Sequence, residues 1–120
     1  MKIKQRTLTD ILKVAEAFYP SEIGGLLLGD EVIDNYVLIP GRYTPRSVSV
    51  KLNQLPIYVK KKGTFHSHPS SNASPSRADE AFFSKMGRYH LILAKPYNKE
   101  SVKAYNNRGE ETKLEIVNEE

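Results

Sequence analysis

The run His66-Ser67-His68-Pro69 restricts its surroundings more than any other feature of the chain. Two imidazoles two residues apart can address one partner only where the backbone is extended, because a strand turns alternate side chains to the same face. The pair therefore predicts a strand ending near Pro69. The polar stretch that follows, with Ser70, Ser71, Asn72 and Ser74, reads as a loop that folds the chain back over the strand end. Ser74-Pro75 then predicts a helix start, with Ser as N-cap and Pro at the first helical position. Ser76-x-x-Asp79 resembles a capping box in which Asp replaces the usual Glu or Gln. With Ser74 as cap, Ser76 and Asp79 lie three apart and share one face of that helix.

Fourteen residues, 66–79, thus hold two imidazoles, a hydroxyl and a carboxylate. Imidazole mixed with carboxylate suits Zn²⁺, and His66, His68 and Asp79 as three ligands would leave a tetrahedral ion one position open for water. A plainer reading exists for each part, since His-x-His arises in half-exposed strands and Ser76 and Asp79 can simply begin a helix. Economy favours the metal: the chain has three histidines, and two of them form this pair. A hydrolytic site also needs a general base. Glu22, between Pro20 and the apolar run Ile23-Gly24-Gly25-Leu26-Leu27-Leu28, is the upstream candidate. A carboxylate beside such a run can be partly desolvated, which would raise its pKa toward a useful range, although the residues by themselves favour the plainer reading, a surface residue in a loop.

Taken together these residues resemble the signature of the JAMM, or MPN+, metalloproteases: an upstream Glu, His-x-His, seven residues, Ser, two residues and Asp. Glu22, His66, His68, the spacer Pro69 to Pro75, Ser76 and Asp79 supply every element. The resemblance spans nearly the whole chain and looks like a compact archaeal member. It implies an α/β fold, a mixed β-sheet flanked by helices on both sides, the cytidine-deaminase-like arrangement of the MPN/JAMM domain. Its order would be helix, Glu and strand, two further strands, helix, His-x-His strand, Ser-x-x-Asp helix and terminal strands. It implies that His66, His68 and Asp79 bind one catalytic Zn²⁺, that Glu22 handles the water proton, and that Ser76 stabilises the oxyanion. It also implies isopeptidase or peptidase action at the C-terminal tail of a ubiquitin-like modifier or a related sulfur carrier. The interval from Asp79 to Tyr89 leaves no room for a second insertion of the kind tied to linkage selectivity. Arg46 to Leu52 lies where related enzymes form an edge that pairs with the substrate tail, and its alternation predicts a half-buried strand open to strand addition.

Composition is consistent with one domain over residues 1–120: 39% hydrophobic and 27% charged residues suit a single core. There is no cysteine, so disulfides, thiolate metal sites and the Pro-Cys-x-x-Cys pattern of zinc nucleoside deaminases are all excluded. No segment approaches membrane-spanning length, and a soluble cytoplasmic protein is expected. Lys and Glu richness without cysteine leans toward a heat-adapted source. The net charge of +4 and the cluster Lys60-Lys61-Lys62 raise a polyanionic partner. However, Asn53 to Lys62 predicts a short helix, capped by Asn53 and ended by Gly63, whose lysines would complement the C-terminal dipole. Nucleic-acid binding also lacks exposed aromatics or a known motif here.

Elsewhere, Leu8, Ile11, Leu12, Ala15, Phe18 and Tyr19 predict an amphipathic helix capped by Thr7. Tyr36 to Pro40 and Tyr89 to Ala94 predict strands, the second holding a structural His90. Ala78, Ala81, Phe82, Lys85 and Met86 mark the helix after the site, before Gly87. Ser101 to Tyr105 and Thr112 to Val117 predict a hairpin about Asn106-Asn107-Arg108-Gly109. Three functions follow from different classes: a zinc isopeptidase or peptidase, a catalytically silent MPN scaffold that binds partner proteins, and, least favoured, a nucleic-acid-associated protein.

Overall fold

Leu8, Ile11, Leu12 and Ala15 are the buried face of α1 (Gln5–Phe18), in the computed structural model of the chain, which describes residues 1–39, 44–56, 60–83 and 87–118. The helix begins directly after β1 (Lys2–Lys4), with Lys4 at the N-cap and no side-chain cap bond. Thr7, expected as the cap, is instead buried inside the helix. It falls on the same face as Leu8 and Ile11, so packing against the sheet overrides its capping preference.

The remaining strands are β2 (Gly24–Gly29), β3 (Ile33–Leu38), β4 (Lys61–Ser67), β5 (Tyr89–Leu93), β6 (Val102–Asn106), β7 (Glu111–Thr112) and β8 (Glu115–Val117). They form one mixed sheet in the order β7-β6-β5-β4-β2-β3-β1-β8. β7 and β8 occupy opposite edges, yet Lys113 and Leu114 alone separate them. Such a link reaches at most about 10 Å, so the sheet curls until its edges approach. The predicted closing hairpin is therefore half right. β6 pairs antiparallel with β7, but the returning arm then leaves and runs parallel to β1 as β8.

Alternation divides the core between the two faces. Leu27, Phe65, Leu91 and Leu93 meet α1 through Leu8 and Ile11, while Leu26, Leu28, Ile92 and Tyr105 face the opposite side. There they pack with Val48 of α2 (Pro45–Gln54) and with Ala73. The triplet Leu26-Leu27-Leu28 thus belongs to a strand covered on both faces, each side chain contributing about 1.5–3 kcal/mol by burial. Helices flank both sides, as predicted.

Several expectations fail in the middle of the chain. Arg46 to Leu52 is helical, inside α2, so no strand edge for a peptide exists there. Val48 and Leu52 are four apart and turn to the core, while Val50 is 48% exposed; an alternating pattern hid a helical one. Thr44 caps this helix, its hydroxyl accepting from Ser47 N–H while Ser47 Oγ accepts from Thr44 N–H. Among the described residues a single strand, β3, separates β2 from α2, where two were expected. The helix predicted over Asn53 to Lys62 is also absent: Asn53 lies in the last turn of α2, and Lys61 and Lys62 open β4. Gly63 is not a helix terminator. A Cβ at Gly63 would overlap the carbonyl oxygen of Tyr89 on the parallel neighbour, so this glycine permits close strand approach. The helix after the site, α3, spans Arg77–Phe83; Lys85 and Met86 lie outside the described residues, as does Pro40 beyond β3. No helix among the described residues is long and apolar enough to cross a membrane.

Candidate metal centre

β4 is a central strand, paired with β2 on one side and β5 on the other. His66 sits in it opposite Gly24 and beside Ile92, and is 4% exposed. His68 follows just past the strand end, its N–H donated to the Leu93 carbonyl at 2.8 Å. The two rings share a face as the period of two predicted, with centroids 5.0 Å apart.

α3 brings the third group. Glu80 N–H bonds the Ser76 carbonyl, which makes Ser76 the N-cap in place of the predicted Ser74. Asp79 N–H donates to Ser76 Oγ at 3.0 Å, and Ser76 N–H donates to Asp79 Oδ2 at 2.9 Å, a reciprocal capping box. Capping and metal approach do not compete. With Oδ2 held by the cap, Asp79 presents Oδ1 at 3.3 Å from His66 Nε2 and Oδ2 at 3.4 Å from His68 Nε2. The two Nε2 atoms are 3.1 Å apart.

These spacings test the fit of an ion. Ligand distances of about 2.0–2.1 Å in a tetrahedral zinc site place neighbouring donors about 3.3 Å apart. Here the two Nε2 atoms lie 3.1 Å apart and each faces its own Asp79 oxygen, Oδ1 at 3.3 Å from His66 and Oδ2 at 3.4 Å from His68; with one donor taken from each residue, all three lie within 4.8 Å of one another, close enough to share an ion. The second layer also fits. His68 Nδ1 lies 2.8 Å from the Asn72 carbonyl, which can only accept, so Nδ1 carries the hydrogen and neutral His68 turns a lone pair at Nε2 toward Asp79. Facing a carboxylate, Nε2 takes up either a proton or a metal ion. The hydrogen bond to Asp79 accordingly raises the His68 pKa, against the opposing effect of burial and with help from the Asn72 carbonyl. For Asp79, burial works against the charged form, but the bonds to His66 and His68 outweigh it and hold the carboxyl far below the usual carboxylate range. His66, His68 and Asp79 can together hold a metal ion, and they form the one such cluster among the described residues.

Glu22 precedes β2 and is exposed, the surface position that the plainer reading gave it, because the inward-turning residues begin at Ile23. Its charge is nonetheless felt at His68. What ties Glu22 to the centre is Ser67, which the sequence reading passed over as the spacer of His-x-His. Ser67 N–H donates to the Ile23 carbonyl, and Ser67 Oγ accepts from Ile23 N–H, both at 2.8 Å. A hydroxyl residue at an inward-facing strand position was the available signal, since a buried hydroxyl needs a partner. Ser76 is exposed, and its capping bond uses an oxygen lone pair and not the hydroxyl hydrogen. His90 is buried, its Nδ1 2.6 Å from Thr64 Oγ1 on the neighbouring strand, a structural role as expected.

Known proteins are similar to this chain in sequence and fold. Residues 4–108 match the family of prokaryotic homologs of the JAB domain. A probable metalloprotease of Haloferax volcanii is 30% identical over 118 residues, covering 88% of this chain and 73% of the relative. The crystal structure of a JAB1/MPN domain protein from Archaeoglobus fulgidus superimposes with a TM-score of 0.81 at 38% identity, over 98% of this chain and 99% of that one. A second structure, described as "JAMM: a metalloprotease-like zinc site in the proteasome and signalosome", gives 0.76 at 37% identity, over 98% and 97%. The curled mixed sheet with its helices is thus the fold of JAB1/MPN domain proteins. The chain belongs to the JAMM/MPN+ family, among the prokaryotic homologs of the JAB domain.

Proposed function

We propose that the protein is a zinc-dependent isopeptidase or peptidase that hydrolyses the bond after the C-terminal tail of a ubiquitin-like modifier or sulfur-carrier protein. The observation carrying this reading is the cluster of His66 Nε2, His68 Nε2 and the Asp79 carboxylate, each Nε2 within 3.4 Å of an Asp79 oxygen, with His68 Nδ1 turned to the Asn72 carbonyl. When bound, zinc supplies Lewis acidity toward a carbonyl and brings the pKa of water to about 7. Glu22 takes the proton of the attacking water and later delivers it to the leaving amine. Ser76 donates its hydroxyl hydrogen to the carbonyl oxygen as that atom gains charge, a contribution of about 100-fold to 1000-fold where one such donor is lost. Openness supports a macromolecular substrate: the side chains of His68 and Asp79 are 18% and 20% exposed, so an extended tail can reach the centre from the surface.

The test is metal analysis of the purified protein, paired with incubation against ubiquitin-like conjugates with and without a chelator. Stoichiometric zinc and chelator-sensitive cleavage are expected. Glu22→Gln should keep zinc and lose cleavage, whereas His66→Ala should lose both. Full hydrolysis by Glu22→Gln refutes the base assignment, and a metal-free protein that still cleaves refutes the whole reading.

A further inference from the structure

His68 lies outside regular structure, and so does the group that orients it. The Asn72 carbonyl that receives its Nδ1–H belongs to the loop between β4 and α3, where no ladder holds the backbone. Besides the backbone bonds to Leu93 and Lys95 and the short-range bonds of Ser70 and Asn72 within the loop, two phenols from the far side of β5 hold it. Tyr97 Oη donates to the His68 carbonyl at 2.8 Å. Tyr105, 4% exposed on β6, donates from Oη to the Ala73 carbonyl at 2.7 Å in a buried bond. One bond thus lies at the start of the loop and the other directly after Asn72. Tyr97 reaches its acceptor from a backbone with φ 61°, a left-handed conformation rare for a residue bearing a Cβ. Such conformations persist where the surroundings over-determine them. Between the two clamped points, the loop is fastened by Lys95 N–H on the Ser70 carbonyl at 2.9 Å.

We propose that Tyr97 and Tyr105 are positioning residues for the metal: their hydroxyls clamp both ends of the segment from His68 to Ala73, so that the Asn72 carbonyl stays against His68 Nδ1 and Nε2 is left as a lone-pair donor toward the ion. The proposal rests on the reading that His66, His68 and Asp79 hold a metal. Partners that orient a ligating histidine commonly affect metal affinity about 10-fold to 100-fold. A tether that merely stiffened the loop would change thermal stability and leave the ring tautomer alone.

The experiment compares wild type with Tyr97→Phe, Tyr105→Phe and the double variant, with Tyr89→Phe as control, because Tyr89 stands at the opposite end of β5 from the site. Zn²⁺ and Co²⁺ affinities are read by competition with a chromophoric chelator. The His68 tautomer of the metal-free protein is read by ¹⁵N NMR on the alkaline plateau of its own titration curve. Expected are affinities about tenfold weaker in at least one single variant and up to about 100-fold weaker in the double, with a His68 ring that no longer keeps its hydrogen on Nδ1. Tyr89→Phe should match wild type. Variants that melt earlier yet keep wild-type affinity and tautomer overturn the clamp. Wild type that binds neither ion overturns the metal reading, and the tautomer comparison then decides the clamp alone. Tyr97→Phe, the less buried of the two, keeps the test open if Tyr105→Phe does not fold.

Discussion

Ser67→Ala should be costly although the residue is neither ligand nor base. Ser67 is 1% exposed and Ile23 is 6% exposed, so the bond from Ile23 N–H to Ser67 Oγ at 2.8 Å is closed to water. Removing the oxygen leaves a buried N–H without an acceptor, a loss of about 1–3 kcal/mol. For a domain of this size about 1 kcal/mol corresponds to roughly 3–6 °C, so a loss near 2 kcal/mol should lower Tm by about 6–12 °C. Denaturant unfolding should show a lower midpoint at unchanged slope, since the surface exposed on unfolding is the same. Ile23 also adjoins Glu22, the proposed base, and a base displaced by about 1 Å can cost about 100-fold in rate. Hydrolysis should therefore fall while the three ligands keep their zinc. A Tm within a degree of wild type, with undiminished cleavage, would refute the claim that this hydroxyl joins the base to the metal strand.

Asp79→Asn separates capping from ligation: the amide oxygen can still receive Ser76 N–H, so α3 should keep its cap, while zinc retention on dialysis should be lost with the charge. Zinc affinity should weaken as pH falls from 8 to 6. His68 keeps its proton to higher pH than a free imidazole, so a metal must displace it, whereas Asp79 has no proton to lose in that range. Calorimetric titrations should approach about tenfold weakening per pH unit for each proton displaced, and a flat profile would contradict the His68 assignment. Gly25→Ala should destabilise by about 1–3 kcal/mol or more in denaturant melts, because the new Cβ would overlap the Val37 carbonyl oxygen and stand 2.8 Å from the Phe65 ring.

The site was legible because its signals are local. The spacing of His66 and His68 needs only an extended backbone to put both rings on one face, and Ser76-x-x-Asp79 closes its own box within one turn. The period of Leu8, Ile11, Leu12 and Ala15 likewise marks α1 without reference to anything distant. Misreadings fell where the deciding partner is remote in sequence. Val48 and Leu52 show a helical face only against Leu26 and Ile92, and Gly63 is needed because Tyr89 lies against it. The split of β7 from β8 follows from pairing with β1 at the other end of the chain. Ser67 shows its purpose only beside Ile23, and Tyr105 only beside Ala73. Residue type and short-range period set which atoms can ligate or cap; strand order and burial, which depend on chain segments tens of residues apart, decide where those atoms meet and what holds them still.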